Sequence, residues 1–340
     1  MSIRPRPRLA ALALTLLGVG LVIAPMQAQA AEITCRSVFT PVTLAGARHS
    51  LHGTLCVPDG ATTVQILIPG SSYNSSYWDF PYSPGTRSFR LAMNEAGIAT
   101  MAVDRLGTGR SSRPPSLAVT AFTQAGTIHQ LVTALRAGQG TPQFEKVLLG
   151  GHSLGSAIAI IEAGTYRDVD GVLVTGLTHL PNATGLLPVL SSLIPAALDP
   201  KFAGKVTDLG YLTTRSDTRY RAFHFPGARL APVVAADEAT KDVFSAGEIV
   251  DGALIGSVSP YSLLIDAPVM LAMGQDPTGC GLLSADCSTA ERLRLSEAPY
   301  YSRAARLHTF VLTDFGHSIN LAPNAPRYQQ AVVDWVDKVA

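Results

Sequence analysis

Reactive chemistry in this 340-residue chain concentrates in the run "KVLLGGHSLGSAIAI", residues 146–160, where Ser153 stands between Gly151 and Gly155. Val147, Leu148 and Leu149 read as a short buried strand, and Leu154, Ala157, Ile158 and Ile161 recur at helical spacing, so the serine falls where strand becomes helix. A reversal that sharp forces its central residue into a strained conformation, and glycines two residues to either side keep neighbouring backbone from clashing. The hydroxyl is left projecting above the sheet. A serine hydroxyl is a poor nucleophile near neutral pH and needs a base within hydrogen-bond reach, with a carboxylate to orient that base. His317, in the loop of "VLTDFGHSIN" after the last apolar strand, is the expected base; Asp276, in "PVMLAMGQDPTGC", is the expected acid. Both sit at strand ends, where catalytic loops collect in α/β sheets. Asp314, three residues before His317, is the alternative acid, although it reads more simply as a local cap.

The elements that must hold these residues alternate. "TCRSVFTPV" and "LHGTLCV" read as an opening antiparallel pair, followed by the apolar strands "VQILI", "IATMAV", "KVLLG", "GVLVTG", "PVMLAM" and "LHTFVL". Helical patterns near residues 86–96, 120–137, 154–164, 288–296 and 325–339 are each long enough to cross over a parallel sheet. The expected class is therefore α/β, with a mostly parallel central sheet flanked by helices. The alternation fails once: between the strand at 171–176 and the strand at 268–273, residues 177–266 replace a single crossover and read as an inserted cap. Leu186, Leu187, Val189, Leu190, Leu193 and Ile194 are too apolar for a solvated linker.

The first thirty residues read as a cleaved secretory signal: Arg4, Arg6 and Arg8 precede the apolar run "LAALALTLLGVGLVIA" and the small-residue site at Ala28 and Ala30. Residues 31–340 are then expected to be the mature domain, secreted to the extracellular space with no stable membrane anchor. Cleavage removes those three arginines and takes the net charge from +1 to −2, a balance that argues against nucleic acid as a partner. The four cysteines, Cys35, Cys56, Cys280 and Cys287, imply disulfides in an exported chain. Three pairings exist. The favoured one joins Cys35 to Cys56 across neighbouring strands and Cys280 to Cys287 around a small loop. Without a C-x-x-C spacing, a four-thiolate zinc site is disfavoured, and no stretch calls for a metal, flavin, nucleotide or other cofactor.

The sequence resembles the α/β-hydrolase family on three stretches: "GHSLG" at 151–155, "VDRLGTGRSS" at 103–112, similar to the family's D-x-x-G-x-G-x-S turn, and "GHSIN" at 316–320, similar to its histidine loop. The resemblance implies that Ser153 attacks, His317 serves as base and then acid, and Asp276 holds the imidazolium. One oxyanion donor should be the Leu154 amide at the helix N-terminus, where the dipole helps. The second should come from "LIPGSSYNSSYWDF", where many family members carry His-Gly and this chain carries Pro69 and Gly70. Ser71 is the candidate and Ser72 the fallback. Asp104 reads as a stabiliser of the turn at Gly107 and Gly109, and His152 as a packing residue; His129, His179 and His224 read as structural or surface histidines rather than substrate contacts. Tyr73 and, from the insert, Phe202, Tyr211 and Phe223 are expected to line the substrate pocket, together with Ser72. The expected activity is cleavage of an apolar carboxylic ester; a lactone, a thioester, acyl transfer or perhydrolysis on the same triad, or a non-catalytic binding role, are the alternatives.

Overall fold

The computed structural model describes residues 1–2, 32–251 and 261–339, so nearly all of the expected signal segment lies outside the described residues. Residues 31–340 form one unit, separate from residues 1–30. Its centre is an eight-stranded sheet built from β1 (Ile33–Leu44), β2 (Ala47–Pro58), β3 (Thr63–Ile68), β4 (Ala99–Val103), β5 (Lys146–His152), β6 (Gly171–Thr175), β10 (Val269–Gly274) and β11 (His308–Leu312). The order across the sheet is β1-β2-β4-β3-β5-β6-β10-β11. β1 pairs antiparallel with β2, and β2 with β4; from β4 onward every pairing is parallel. The first hairpin turns through Ala45 and Gly46, at φ 48° and 79°, the mirror-image turn whose twist suits two antiparallel strands. Its register puts Cys35 opposite Cys56, and the two are bonded.

The inner strands read as continuous apolar runs because helices cover both faces. On one face lie α2 (Ala121–Arg136), α3 (Leu154–Tyr166) and α6 (Ala290–Glu297), which pack Ile128, Leu131, Ile158, Ile161 and Leu293 onto Val64, Ile66 and Leu149. On the other lie α1 (Phe89–Glu95) and α7 (Ala325–Val339), whose Phe89, Met93, Tyr328, Val332 and Trp335 meet Leu148, Leu173 and Met270. Each helix starts within a few residues of where the apolar spacing predicts it.

Between β6 and β10 runs the insert. It holds α4 (Ala183–Ser192), α5 (Ala231–Thr240) and a separate antiparallel sheet in the order β7-β8-β9, made of Leu193–Pro195, Tyr211–Thr214 and Phe244–Ser245. Asn182 starts α4 by accepting hydrogen bonds from the amides of Thr184 and Gly185. A small core of its own, Ala196, Phe202, Val206, Tyr211 and Val243, stiffens this sheet.

Candidate active site

Ser153 links the end of β5 to the start of α3 at φ 54° and ψ −118°, a conformation that non-glycine residues seldom adopt. Packing imposes it. A Cβ on Gly151 would stand 2.4 Å from the Gly155 carbonyl oxygen, and one on Gly155 would stand 2.2 Å from the Ile68 carbonyl oxygen, so only glycines let helix and strands close this tightly. The Ser153 amide donates to the Thr175 carbonyl at 2.7 Å, which locks the turn to β6.

His317 follows β11, and its Nδ1 lies 2.6 Å from Asp276 Oδ2, which comes from the loop after β10. Asp276 is fully buried and also accepts from the Thr278 amide at 2.9 Å and the Thr278 hydroxyl at 2.7 Å. Burial opposes its ionisation, but the charge and hydrogen bond of His317 and the two bonds from Thr278 overcome that and hold the carboxyl below the usual range. The Cys280–Cys287 disulfide closes a small ring that begins four residues after Asp276 in the same connection between β10 and α6. Asp314 is exposed, at φ 65°, with its amide bonded to the Gln275 side chain. His152 is buried beneath the site: its ring stacks on Tyr77 at 4.2 Å and its Nδ1 is 3.1 Å from the Thr175 hydroxyl. Burial, then His317 and Arg219, keep its pKa well below the ordinary value, so it stays neutral.

The loop after β3 brings Ser71, Ser72 and Tyr73 alongside. Ser72 is buried at φ 57°; its carbonyl accepts from the Asp242 amide at 2.9 Å and its hydroxyl from Arg219 at 2.9 Å. Ser71 is partly exposed, and its amide has no acceptor among the described residues. Leu154 is the first residue of α3, where no preceding helical turn supplies an acceptor for its amide.

Two chambers open onto Ser153. The smaller, about 120 Å³, is lined by Ser71, Tyr73, Thr178, Phe223, Thr278 and His317 among others. The larger, about 250 Å³, is walled by Leu154, Ala157, Leu177, Leu186, Val189 and Phe244 and does not include His317. A roomier hollow of about 580 Å³ lies between Asp199 and α5 and shares no residue with either.

A sequence model described as the Alpha/beta hydrolase family matches residues 65–329. The chain belongs to that family. No curated protein matches this alpha/beta hydrolase in sequence. Among solved structures, it is similar in fold to a thermophilic esterase from Thermogutta terrifontis, at 15% identity over 89% of this chain and 99% of that one, with a TM-score of 0.58. It is similar also to a carboxyl esterase from Bacillus coagulans, at 16% identity over 89% and 98% with a TM-score of 0.58. A soluble variant of the monoglyceride lipase of Saccharomyces cerevisiae matches at 16% identity over 94% and 98%, with a TM-score of 0.59.

Of the expected pocket residues, Ser72, Tyr73 and Phe223 line the chambers. Phe202 and Tyr211 do not. Both are buried in the insert's own core, and the Tyr211 hydroxyl donates to the Pro114 carbonyl at 2.8 Å, so these rings brace the insert against the turn beyond β4 instead of facing the cavity. Asp104 does hold that turn: it bonds the amides of Ser75 and Arg110 and the ring of His52. Sequence reasoning missed the brace on the Ser71–Ser72 loop. Arg219, fully buried, donates to Ser72 and to Asp237 at 2.8 Å, and its guanidinium carbon lies 4.3 Å from the Tyr73 ring centre and 4.9 Å from that of Phe223. Asp237 also bonds His224; burial opposes its ionisation, yet Arg219 and then His224 bring its pKa down to about 2. Asp242 ties the Asn74 side chain at 2.8 Å. No spacing in "TRYRAFH" marks such an arginine.

Proposed function

We propose that this alpha/beta hydrolase is an exported serine esterase acting on carboxylic esters with an apolar acyl group. The observation that carries the reading is the 2.6 Å hydrogen bond from His317 Nδ1 to buried Asp276, at a cavity onto which Ser153 also opens from its strained turn. With Nδ1 committed to Asp276, His317 Nε2 takes the proton as the Ser153 oxygen attacks the ester carbonyl. The amides of Leu154 and Ser71 receive the negative charge that develops on the carbonyl oxygen. His317 then returns the proton to the departing alcohol, and a water repeats the sequence to release the acid.

This order assigns the chambers. The leaving alcohol must lie within reach of His317, which favours the smaller chamber for it and the apolar one for the acyl chain, with the insert acting as a cap over both. Export past an N-terminal signal cleaved near residue 30 accords with two disulfides and no free cysteine among the described residues, where no helix is long and apolar enough to cross a membrane.

A fluorophosphonate probe should label Ser153 alone, with Ser153→Ala unlabelled and inactive. Across 4-nitrophenyl esters of growing acyl length, kcat/KM should rise about fourfold per methylene, the equivalent of ~0.8 kcal/mol of burial, until the apolar chamber is full. Labelling elsewhere would refute the nucleophile, and a flat series would refute the acyl assignment.

A further inference from the structure

Where α2 packs on α3, three side chains converge away from the serine: His129 from α2, Glu162 from α3 and Asp168 from the turn beyond α3. Their nearest ligating atoms all lie within 4.8 Å of one another. His129 Nδ1 is 2.8 Å from Asp168 Oδ2 and 3.8 Å from Glu162 Oε1. The Glu162 side chain is 0% exposed, yet no hydrogen-bond donor among the described residues reaches either of its oxygens, and Asp168 Oδ1 is buried with no partner as well. Buried carboxylates need donors or counter-charge, and here the neighbour of one carboxylate is another. Arg136, the nearby cation, spends its guanidinium on the carbonyls of Asp168 and Glu145 and on the Asp170 carboxylate.

We propose that His129, Glu162 and Asp168 bind one divalent cation of zinc's size and ligand preference, as a structural clip between α2 and the end of α3. One imidazole with two carboxylates is a donor set such ions accept. Four ligands held tetrahedrally at ~2.1 Å from a metal stand about 3.4 Å apart, and the observed 2.8 and 3.8 Å bracket that spacing. The carbonyls at the C-terminus of α3 add a field that favours positive charge. The Tyr166 ring stacks on His129 at 3.7 Å and fixes its orientation, while the 33% exposure of the His129 side chain leaves an approach for the ion and a water. Ser153 lies nine residues back along α3, about 14 Å at helical rise, so the ion would take no part in ester cleavage. The competing occupant is a proton: without a metal, burial and then Asp168 push the Glu162 carboxyl up to about 9.

The test is zinc titration of the chelator-treated, desalted protein by calorimetry and thermal denaturation, with magnesium as the control. One zinc equivalent should bind, and the midpoint should rise by about 5 °C at a hundredfold excess over Kd. Glu162→Gln, and separately His129→Gln at the partly exposed ligand, should fold and lose at least tenfold in affinity, while metal-free turnover stays within twofold. A glutamine at 162 also imitates a protonated carboxyl. If zinc leaves the wild-type midpoint unmoved and Glu162→Gln is as stable as the wild type, the two carboxyls share a proton and the proposal fails. It fails equally if the zinc equivalent persists in Glu162→Gln, because it then binds elsewhere.

Discussion

Asp276→Asn exchanges one oxygen for an NH2 group at nearly constant volume, and the surrounding bonds dictate how the amide must lie. Asp276 Oδ1 accepts from the Thr278 backbone amide, while Oδ2 accepts from the Thr278 hydroxyl and from His317 Nδ1. A backbone N–H cannot turn away, so the asparagine keeps its oxygen at the Oδ1 position and presents its NH2 to His317. The hydroxyl of Thr278 can rotate and accept. The imidazole can accept only as the tautomer with bare Nδ1, which places its proton on Nε2, where the proton of Ser153 has to go. The positive ring formed during attack also loses its carboxylate. In other triads this pair of defects costs about 10⁴-fold, or ~5.4 kcal/mol at 1.36 per decade. We expect that loss in kcat/KM on one 4-nitrophenyl ester, with the variant folded at neutral pH but its thermal midpoint below that of the wild type, a gap that narrows in acid. The acid side should differ in a defined sense. His317 and Thr278 depress the folded pKa of Asp276, so its stabilising contribution is present above about 4 and is lost as pH falls through the folded value; the asparagine variant lacks that dependence. Asp314→Asn, at an exposed turn, should stay within twofold. Asp276→Asn retaining a tenth of wild-type activity, or Asp314→Asn being the inactive protein, would refute the reasoning.

Two other substitutions probe the surroundings. Arg219→Lys keeps the buried charge but cannot reach Ser72 and Asp237 together, so kcat should fall by about 10²-fold, in the range of a lost oxyanion donor, with KM changed far less; a change confined to KM would show that Arg219 does not position the loop. Gly155→Ala drives a Cβ to within 2.2 Å of the Ile68 carbonyl oxygen, backbone against backbone, and should abolish soluble folded protein as judged by circular dichroism; a folded, active variant would show that the turn is looser than described.

The parts of the site legible in the sequence are those whose signal is contiguous. The turn around Ser153 announces itself because strand, glycines and helix follow one another within fifteen residues, and the loops bearing His317 and Asp276 directly follow apolar strands. The cysteine pairing was readable for the same reason: Cys35 and Cys56 lie on consecutive strands joined by a tight turn. Aromatic content in the insert was a poor guide to the pocket. Phe202 and Tyr211 went to a local core, whereas Leu186, Val189 and Phe244, from helix and strand, form the walls. Which face of a short element meets the cavity depends on how the insert folds on the sheet, and no period within residues 177–266 encodes that. Arg219 was invisible for a different reason: its partners Ser72 and Tyr73 lie nearly 150 residues earlier in the chain, and only the tertiary structure brings them together.

Two residues of the insert reach the loop after β3, Arg219 on the Ser72 side chain and Asp242 on the Ser72 carbonyl and the Asn74 side chain, while its α4 lines the apolar chamber. On the proposed reading, selectivity and rate are therefore not separable modules. Grafting a foreign segment in place of residues 177–266 to accept a different acyl chain would also remove both tethers on the loop that holds a proposed oxyanion donor, and a chimera would lose speed on every substrate at once. A graft that retains Arg219, Asp237 and Asp242 and alters only the wall positions on α4 would let the acyl preference drift while the electrostatics above Ser153 stay fixed, which marks the narrow route by which this scaffold can acquire new substrates.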